Sequence, residues 1–325
     1  MQPKIEFNHT SFLILIKDNE FFSKKLIKHI NSQNVKAEFI IADGSKNKQK
    51  KIFDKLKPKK KYYYFGEDND IISFLQKTYE GINKCSKKFI FFCDQDDLIN
   101  FKIIKKKEKF LLVNKDYSAA KGTLYDFNYI NKKIYIFNKT YSNFVDFKFF
   151  LLRQIFNINF RSYYCLHRRK NLIKFFRLIT KYKLNDFRSS EFIMDLCTIS
   201  AGRIKFFKDT SVLRWSGIKN KNKKHPLNTL HTNRYDWFKY FFSSQRILIR
   251  DILSNKKIFF NNFYIFKIHF FISDILGSII KKNAGYMLLI RIINKINRVL
   301  VYDDQVKIYK KFRLDQIIKQ KDLSR

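Results

Sequence analysis

Apolar residues run without interruption from Phe12 to Ile16 and then break at Lys17-Asp18-Asn19. A short apolar run with polar punctuation predicts a strand buried on both faces, over Ser11–Ile16. Phe22, Leu26, Ile27 and Ile30 then recur at helical spacing, which predicts an amphipathic helix over Phe21–Ser32. A second strand is expected over Lys36–Ala42, stopped by Asp43-Gly44-Ser45, and a short third one over Tyr62–Phe65. Ile71–Lys84 has the pattern of a second helix and Phe89–Cys93 that of a fourth strand. Strands alternating with helices imply βαβ units and a mostly parallel sheet, an α/β fold.

Beyond Asp97 the pattern is less regular. Leu98–Leu112 is expected to be helical, with Asp97 available as its cap. Ala119–Phe137 is expected to form strands around an Asn131-Lys132 turn, and Phe147–Phe156 a helix. Ser189–Ser200 predicts a helix with Phe192, Leu196 and Ile199 on one face; Gly202 ends it, and Arg203–Lys208 forms a strand. A charged stretch from Lys219 to Lys224 follows, and from Tyr235 onward apolar residues again recur at helical spacing. The expected organisation is a sheet domain over 10–218, a basic linker over 219–234 and a helical C-terminal region over 235–325.

Composition narrows the function classes. The hydrophobic share of 45% excludes a disordered chain. With 67 Lys and Arg against 28 Asp and Glu, the formal net charge is +39, which favours anionic partners. The lysine clusters at 46–51, 55–61, 102–109 and 219–224 read first as solvated faces. Cys85, Cys93, Cys165 and Cys197 show no metal-ligand spacing, which points to buried inert thiols and a reducing compartment. Met1–His9 lacks a signal-peptide apolar region, and Ile258–Ile280 is interrupted by Lys267, His269 and Asp274, so no transmembrane span is expected. A cytoplasmic location follows, with the basic, apolar-faced 235–325 region able to lie on an anionic membrane surface.

The scarce acids concentrate at one place. Phe89 to Cys93 breaks into Asp94, Asp96 and Asp97, so a buried strand ends in three carboxylates. That is the carboxyl edge at which open α/β sheets bind ligands. Asp94 and Asp96 are spaced to share one hard cation that also takes phosphate oxygens. The six histidines form no metal-binding pattern, and neither a Walker loop, a Gly-rich dinucleotide fingerprint nor a Gly-x-Ser-x-Gly elbow is present.

In order, the chain presents Ile14-Leu-Ile-Lys-Asp-Asn19, Ile40-Ile-Ala-Asp-Gly-Ser45, Asp94-Gln-Asp96 followed by Asp97, and then Ser189-Ser-Glu191 leading to Gly202-Arg-Ile-Lys-Phe206. This set resembles the family 2 glycosyltransferases, nucleotide-sugar transferases of the GT-A fold, over roughly Thr10 to Ser216. The resemblance implies a GT-A α/β fold with helices on both faces of a mixed, mostly parallel sheet. It implies Mn2+ or Mg2+ held by Asp96 and Asp94, and donor contacts from Lys17, Asp18, Asp43, Asp94 and Arg214. Asp43 would accept from the nucleobase, and Arg214, standing where such enzymes often carry a histidine, would hold the diphosphate. Glu191 would be the general base of a single inverting displacement, with Asp195 one helical turn later on the same face as the fallback base. Glu191 alone keeps a carboxylate of the family's usual acid pair, Ser190 taking the other place. The implied partners are a nucleotide-sugar donor, a UDP-sugar first, and a glycan or lipid-linked acceptor, with no nucleic acid.

Each residue also has a plainer reading. Asp43-Gly44-Ser45 suits a turn, Glu191 suits a helix dipole, and Arg214 has Asp209 as a surface partner. Other classes stay open: a nucleotidyltransferase on a similar sheet, a basic nucleic-acid-binding protein that makes no use of Asp94 or Asp96, and a degenerate transferase acting as a scaffold.

Overall fold

The computed structural model describes residues 4–128, 134–138, 144–145, 162–182 and 187–216. The Phe147–Phe156 helix, the 219–234 linker and the 235–325 region lie outside the described residues. Within them the order is β1 (Ile5–Ile16), α1 (Glu20–Ser32), β2 (Val35–Asp43), α2 (Lys50–Phe53), β3 (Lys60–Tyr64), α3 (Ile71–Lys84), β4 (Phe89–Asp94), β5 (Asp97–Ile99) and α4 (Phe101–Val113). Then come β6 (Tyr117–Asn128), β7 (Ile134–Asn138), β8 (Phe144–Val145), a 3-10 turn (Ser162–Tyr164), β9 (Leu166–Arg168), α5 (Arg169–Lys181), α6 (Phe187–Ser200) and β10 (Arg203–Ser216).

The described strands form one mixed, mostly parallel α/β sheet in the order β3-β2-β1-β4-β9-β6-β10-β5, with β7 on β6 and β8 on β10. β1 to β4 run parallel. β9 is antiparallel to both β4 and β6, and β10 is parallel to β6. Two reversals leave β4, β6 and β10 pointing the same way, so their carboxyl ends share one edge.

Strand alternation supplies a core on each side of the sheet. Leu13, Leu15, Ile40, Ala42, Ile90 and Phe92 pack with α3, α5 and α6. Phe12, Ile14, Phe39, Ile41, Phe91 and Cys93 pack with α1 and α4. The continuous apolar runs are thus the mark of strands covered on both faces. Phe12 and Phe39 stack at 5.1 Å between ring centres, which fixes β1 against β2 on the second side. All four cysteines are free, and burial pushes the Cys85 and Cys165 thiols up to about 12, so they are inert packing groups.

Caps explain where the helices begin. The Asn19 side chain accepts from Phe22 N–H at α1, and Asp70 and Ser73 form a reciprocal capping box at α3. The expected helix from Leu98 is corrected. Asp97–Ile99 instead pairs antiparallel with Val212–Arg214, and Asn100 caps α4 by accepting from Ile103 N–H. Asn100 also donates from its side chain to Thr210 O at 3.0 Å and from its backbone to Ser211 O at 2.9 Å. β10 therefore satisfies the backbone that a longer helix would have satisfied internally. A second correction concerns the 102–109 lysines. Lys107 is fully buried over the Phe91 ring, and burial lowers its ammonium to about 7.

Gly202 ends α6 as expected; its φ is +153° and a Cβ there would come within 2.6 Å of Asp116 O. Gly44 is required by contact rather than by φ. A Cβ would fall on the Asp68 carboxylate, which is buried against Lys77 at 2.5 Å. Lys77 Nζ also donates to Ile16 O at 3.0 Å, and Asp68 N–H to Gly44 O at 2.9 Å. This buried pair ties together the loops that follow β1, β2 and β3. We expect Gly44→Ala to destabilise the protein by about 1–3 kcal/mol in urea unfolding, since it forces the pair apart. Unchanged stability would mean that the loop and the pair are not in contact.

Candidate active site

The site is built on the carboxyl ends of β1, β2, β4 and β10. Asp94 is the last residue of β4, Asp96 lies in the following turn, and Asp97 starts β5. The turn is closed by Asp94 N–H donating to Asp97 Oδ2 at 2.8 Å, and it is held to β10 by Trp215 N–H donating to Asp96 O at 2.8 Å. Gln95 faces the β1 loop, accepting from Lys17 N–H at 3.0 Å and donating to Lys17 O at 2.7 Å. That two-way amide pairing joins the acidic turn to the Lys17-Asp18 loop.

The three carboxylates repel one another in a partly dry place. Burial, followed by the neighbouring Asp94 charge, pushes Asp96 up to about 7. Burial also raises Asp94, against a bond from the Tyr163 hydroxyl at 2.6 Å and the charges of Lys77 and Arg214. Asp97 is fully buried and raised well above the carboxylate range by burial and by both neighbours. Its Oδ1 has no hydrogen-bond partner among the described residues. At neutral pH such a triad either keeps protons or takes a cation.

Arg214 is the nearby counter-charge. It sits opposite Asp97 on β5 and Asp126 on β6, and grips Asp126 with Nε and Nη2 at 2.9 and 3.2 Å. The surface pairing with Asp209 is thereby corrected: Asp209 lies 3.5 Å from Lys106. A bidentate carboxylate fixes the guanidinium plane beside the acids.

Lys17, Asp18 and Asp43, the residues expected on the nucleotide side, are brought together by their loops. Asp18 has a φ of +51°; its N–H donates to Ser45 Oγ at 2.8 Å and its carboxylate accepts from Lys46 N–H at 2.7 Å. Lys17 Nζ donates to Asp68 O. Asp43 is fully buried, accepting from Ser45 N–H at 2.8 Å, from Gln49 N–H at 2.9 Å and from the Tyr62 hydroxyl. These bonds take three of the carboxylate's roughly four acceptor positions, so Asp43 braces its own turn and keeps one position for a further donor.

Glu191 lies half-buried in the first turns of α6. Since α6 feeds the start of β10 at the opposite edge, its own start faces the edge that carries Asp94. Asp195, one turn further on, is buried and accepts from Ser162 N–H at 2.6 Å. Tyr163, Asp126 and Gln95 are the site residues that sequence reasoning missed. Asp126 and Tyr163 stand in no recognisable motif, whereas Gln95 lies inside one and its pairing depends on the β1 loop.

Among the described residues no group of three or more His, Cys, Asp or Glu side chains is placed to hold a metal by itself. The residues nevertheless fit a hard cation of another kind. Mg2+-type ions are commonly held by one or two carboxylates with the remaining positions filled by water and substrate phosphates. Asp96 and Asp94, both oxygen donors beside the orphaned Asp97 Oδ1, are such a set. Among the described residues no helix is long and apolar enough to cross a membrane.

Neither a family model nor a curated protein matches the sequence. Among solved structures, similar ones include Staphylococcus aureus TarS 1–349 in complex with UDP-GlcNAc, at 13% identity and TM-score 0.49 over 74% of this chain and 65% of that one. The same protein in complex with UDP gives 14% identity and TM-score 0.46 over 77% and 66%. A longer TarS structure gives 14% identity and TM-score 0.45 over 64% of this chain and 37% of that chain. This chain therefore spans less than two thirds of the length of each of these structures.

The raised Asp96 carboxyl has a measurable consequence. Between about 4 and about 7 the folded protein holds a proton that the unfolded chain releases, so stability falls as pH rises through that window. In chelator at pH 8, Asp96→Asn should therefore melt higher than wild type, by on the order of 1 kcal/mol of stability. Mn2+ should stabilise wild type more at pH 8 than at pH 5 and should leave Asp96→Asn unmoved. Equal Mn2+ responses in the two proteins would remove Asp96 from any cation site.

Proposed function

We propose that the chain is a metal-dependent glycosyltransferase of the GT-A kind, moving a sugar from a nucleotide-sugar donor to a glycan or lipid-linked acceptor with inversion. The observation that carries this reading is the triad Asp94, Asp96 and Asp97 at the end of β4, two of them half-exposed and charge-frustrated, with Arg214 clamped beside them. The ordered strand-end motifs of the sequence support it, and so does the joining of the β1, β2 and β4 loops through Gln95, Ser45 and the Lys77–Asp68 pair.

In this reading Asp96, assisted by Asp94, holds Mn2+ or Mg2+, which when bound neutralises charge on the donor diphosphate. Arg214 adds positive charge on the same side, fixed in direction by Asp126. Lys17 and Asp18 form the nucleotide-side loop, and Asp43 acts by holding the turn that closes it. The acceptor hydroxyl oxygen bonds to the anomeric carbon as the bond from that carbon to the diphosphate oxygen breaks. The hydroxyl proton passes to the Glu191 carboxylate, and the leaving electron pair stays on the diphosphate. Because attack and departure lie on opposite faces, Glu191 on α6 and the acids on β4 have to flank the donor. A UDP-sugar is the donor to try first, and TarS, solved with UDP-GlcNAc and with UDP, suggests UDP-GlcNAc as a practical probe.

Nucleotide sugars screened by thermal shift with and without Mn2+ test the reading. We expect one nucleotide to stabilise the protein only with the cation, by about 2.7 kcal/mol at a hundred times its Kd. Glu191→Gln should keep that stabilisation and lose at least ~10²-fold in turnover. If no nucleotide stabilises the protein with Mn2+, the transferase reading fails. If Glu191→Gln turns over normally, the base lies elsewhere.

A further inference from the structure

Between the acidic turn and the helix that carries Glu191 lies the 3-10 turn Ser162–Tyr164, which bonds to both. On one side the Tyr163 hydroxyl donates to Asp94 Oδ1 at 2.6 Å. The Tyr163 ring lies flat on Phe92, with centres 5.1 Å apart and planes 9° apart, so the hydroxyl is aimed by packing. On the other side Ser162 N–H donates to Asp195 Oδ1 at 2.6 Å. Ser162 O accepts from Cys165 N–H at 2.8 Å and meets His167 Nε2 at 2.6 Å, so that ring nitrogen carries the proton. Ser162 and His167 are almost wholly buried, and so is Asp195.

We propose that this turn is a positioning bridge that sets the spacing between the cation-binding acids and α6, with Tyr163 and Asp195 as its two ends. The proposal rests on the transferase reading above. A single displacement needs donor and base on opposite sides of one carbon, and a misplacement of about 1 Å can lower the rate ~10²-fold. The path Asp94–Tyr163–Ser162–Asp195 reaches from the donor side to one helical turn from Glu191. Asp195 is therefore a positioning residue and not a reserve base: its carboxylate is buried and already holds a backbone amide.

The test is a double-mutant cycle on the full chain, reading Mn2+ affinity by electron paramagnetic resonance, with turnover measured alongside. Tyr163→Phe should weaken Mn2+ binding by about tenfold, the scale of one charge-assisted hydrogen bond. Asp195→Ala should weaken it severalfold, although the bond Asp195 accepts comes from Ser162 N–H and not from the cation acids, and should add nothing in the Tyr163→Phe background. Asp195→Asn keeps an oxygen for the Ser162 amide and should retain wild-type affinity and turnover within ~3-fold, whereas a base would be lost with either substitution. If Asp195→Ala fails to fold, Asp195→Asn and Tyr163→Phe decide between them. Unchanged Mn2+ affinity in Tyr163→Phe, independent effects in the cycle, or loss of turnover in Asp195→Asn would each overturn the bridge alone. A wild type that binds neither Mn2+ nor nucleotide would overturn the transferase reading, and the bridge with it.

Discussion

Three carboxylates at the end of one strand cannot all stay charged in a half-dry place, and the surrounding structure is arranged around that repulsion. Asp97 is buried at the base of the turn, accepting from Asp94 N–H. Tyr163 donates to Asp94, Trp215 N–H holds the Asp96 carbonyl, and Arg214 is braced by Asp126. Lys77, buried under the β1 and β2 loops, adds positive charge that acts on Asp94. None of these contacts removes the frustration of Asp96, whose carboxyl remains near 7. This concentration of acids, in a chain of net charge +39, is the feature on which the proposed cation and diphosphate site rests.

The topology makes that arrangement possible. Because β9 runs against both β4 and β6, the chain can leave the β4 end, build β6 and β10 in the same direction as β4, and bring Asp126 and Arg214 to the edge where Asp94 ends. The reversal also places the 3-10 turn just before β9, where it packs against Phe92 and meets α6. One inverted strand thus links the acids, their counter-charge and the helix proposed to hold the base.

Much of the first half was legible in the sequence because each strand is covered on both faces, which writes continuous apolar runs such as Phe12–Ile16 and Phe89–Cys93. The acid cluster was legible for the opposite reason: carboxylates stand out where such a run ends. α5 was legible and went unread: Leu172, Phe175, Phe176 and Ile179 stand at helical spacing with Lys and Arg on the other face. Two features were hidden. β5 takes its structure from pairing with Val212–Arg214, more than a hundred residues away in sequence, so local pattern favoured a helix there. The partners of Arg214 and Asp94 are likewise long-range: Asp126 is fixed by strand register, and Tyr163 by a turn with no sequence signature. Asp43 shows the converse, since its Asp-Gly-Ser setting was visible while its commitment to Gln49 and Tyr62 was not.

The central claim is that the β4 acids hold a divalent cation together with a nucleotide diphosphate. The most direct measurement is anomalous diffraction from crystals of the full chain grown with UDP and Mn2+. The account predicts an Mn2+ peak in coordination contact with Asp96, next to Asp94, and shared with the diphosphate oxygens. A peak elsewhere, or UDP bound with no Mn2+ beside Asp96, would contradict it.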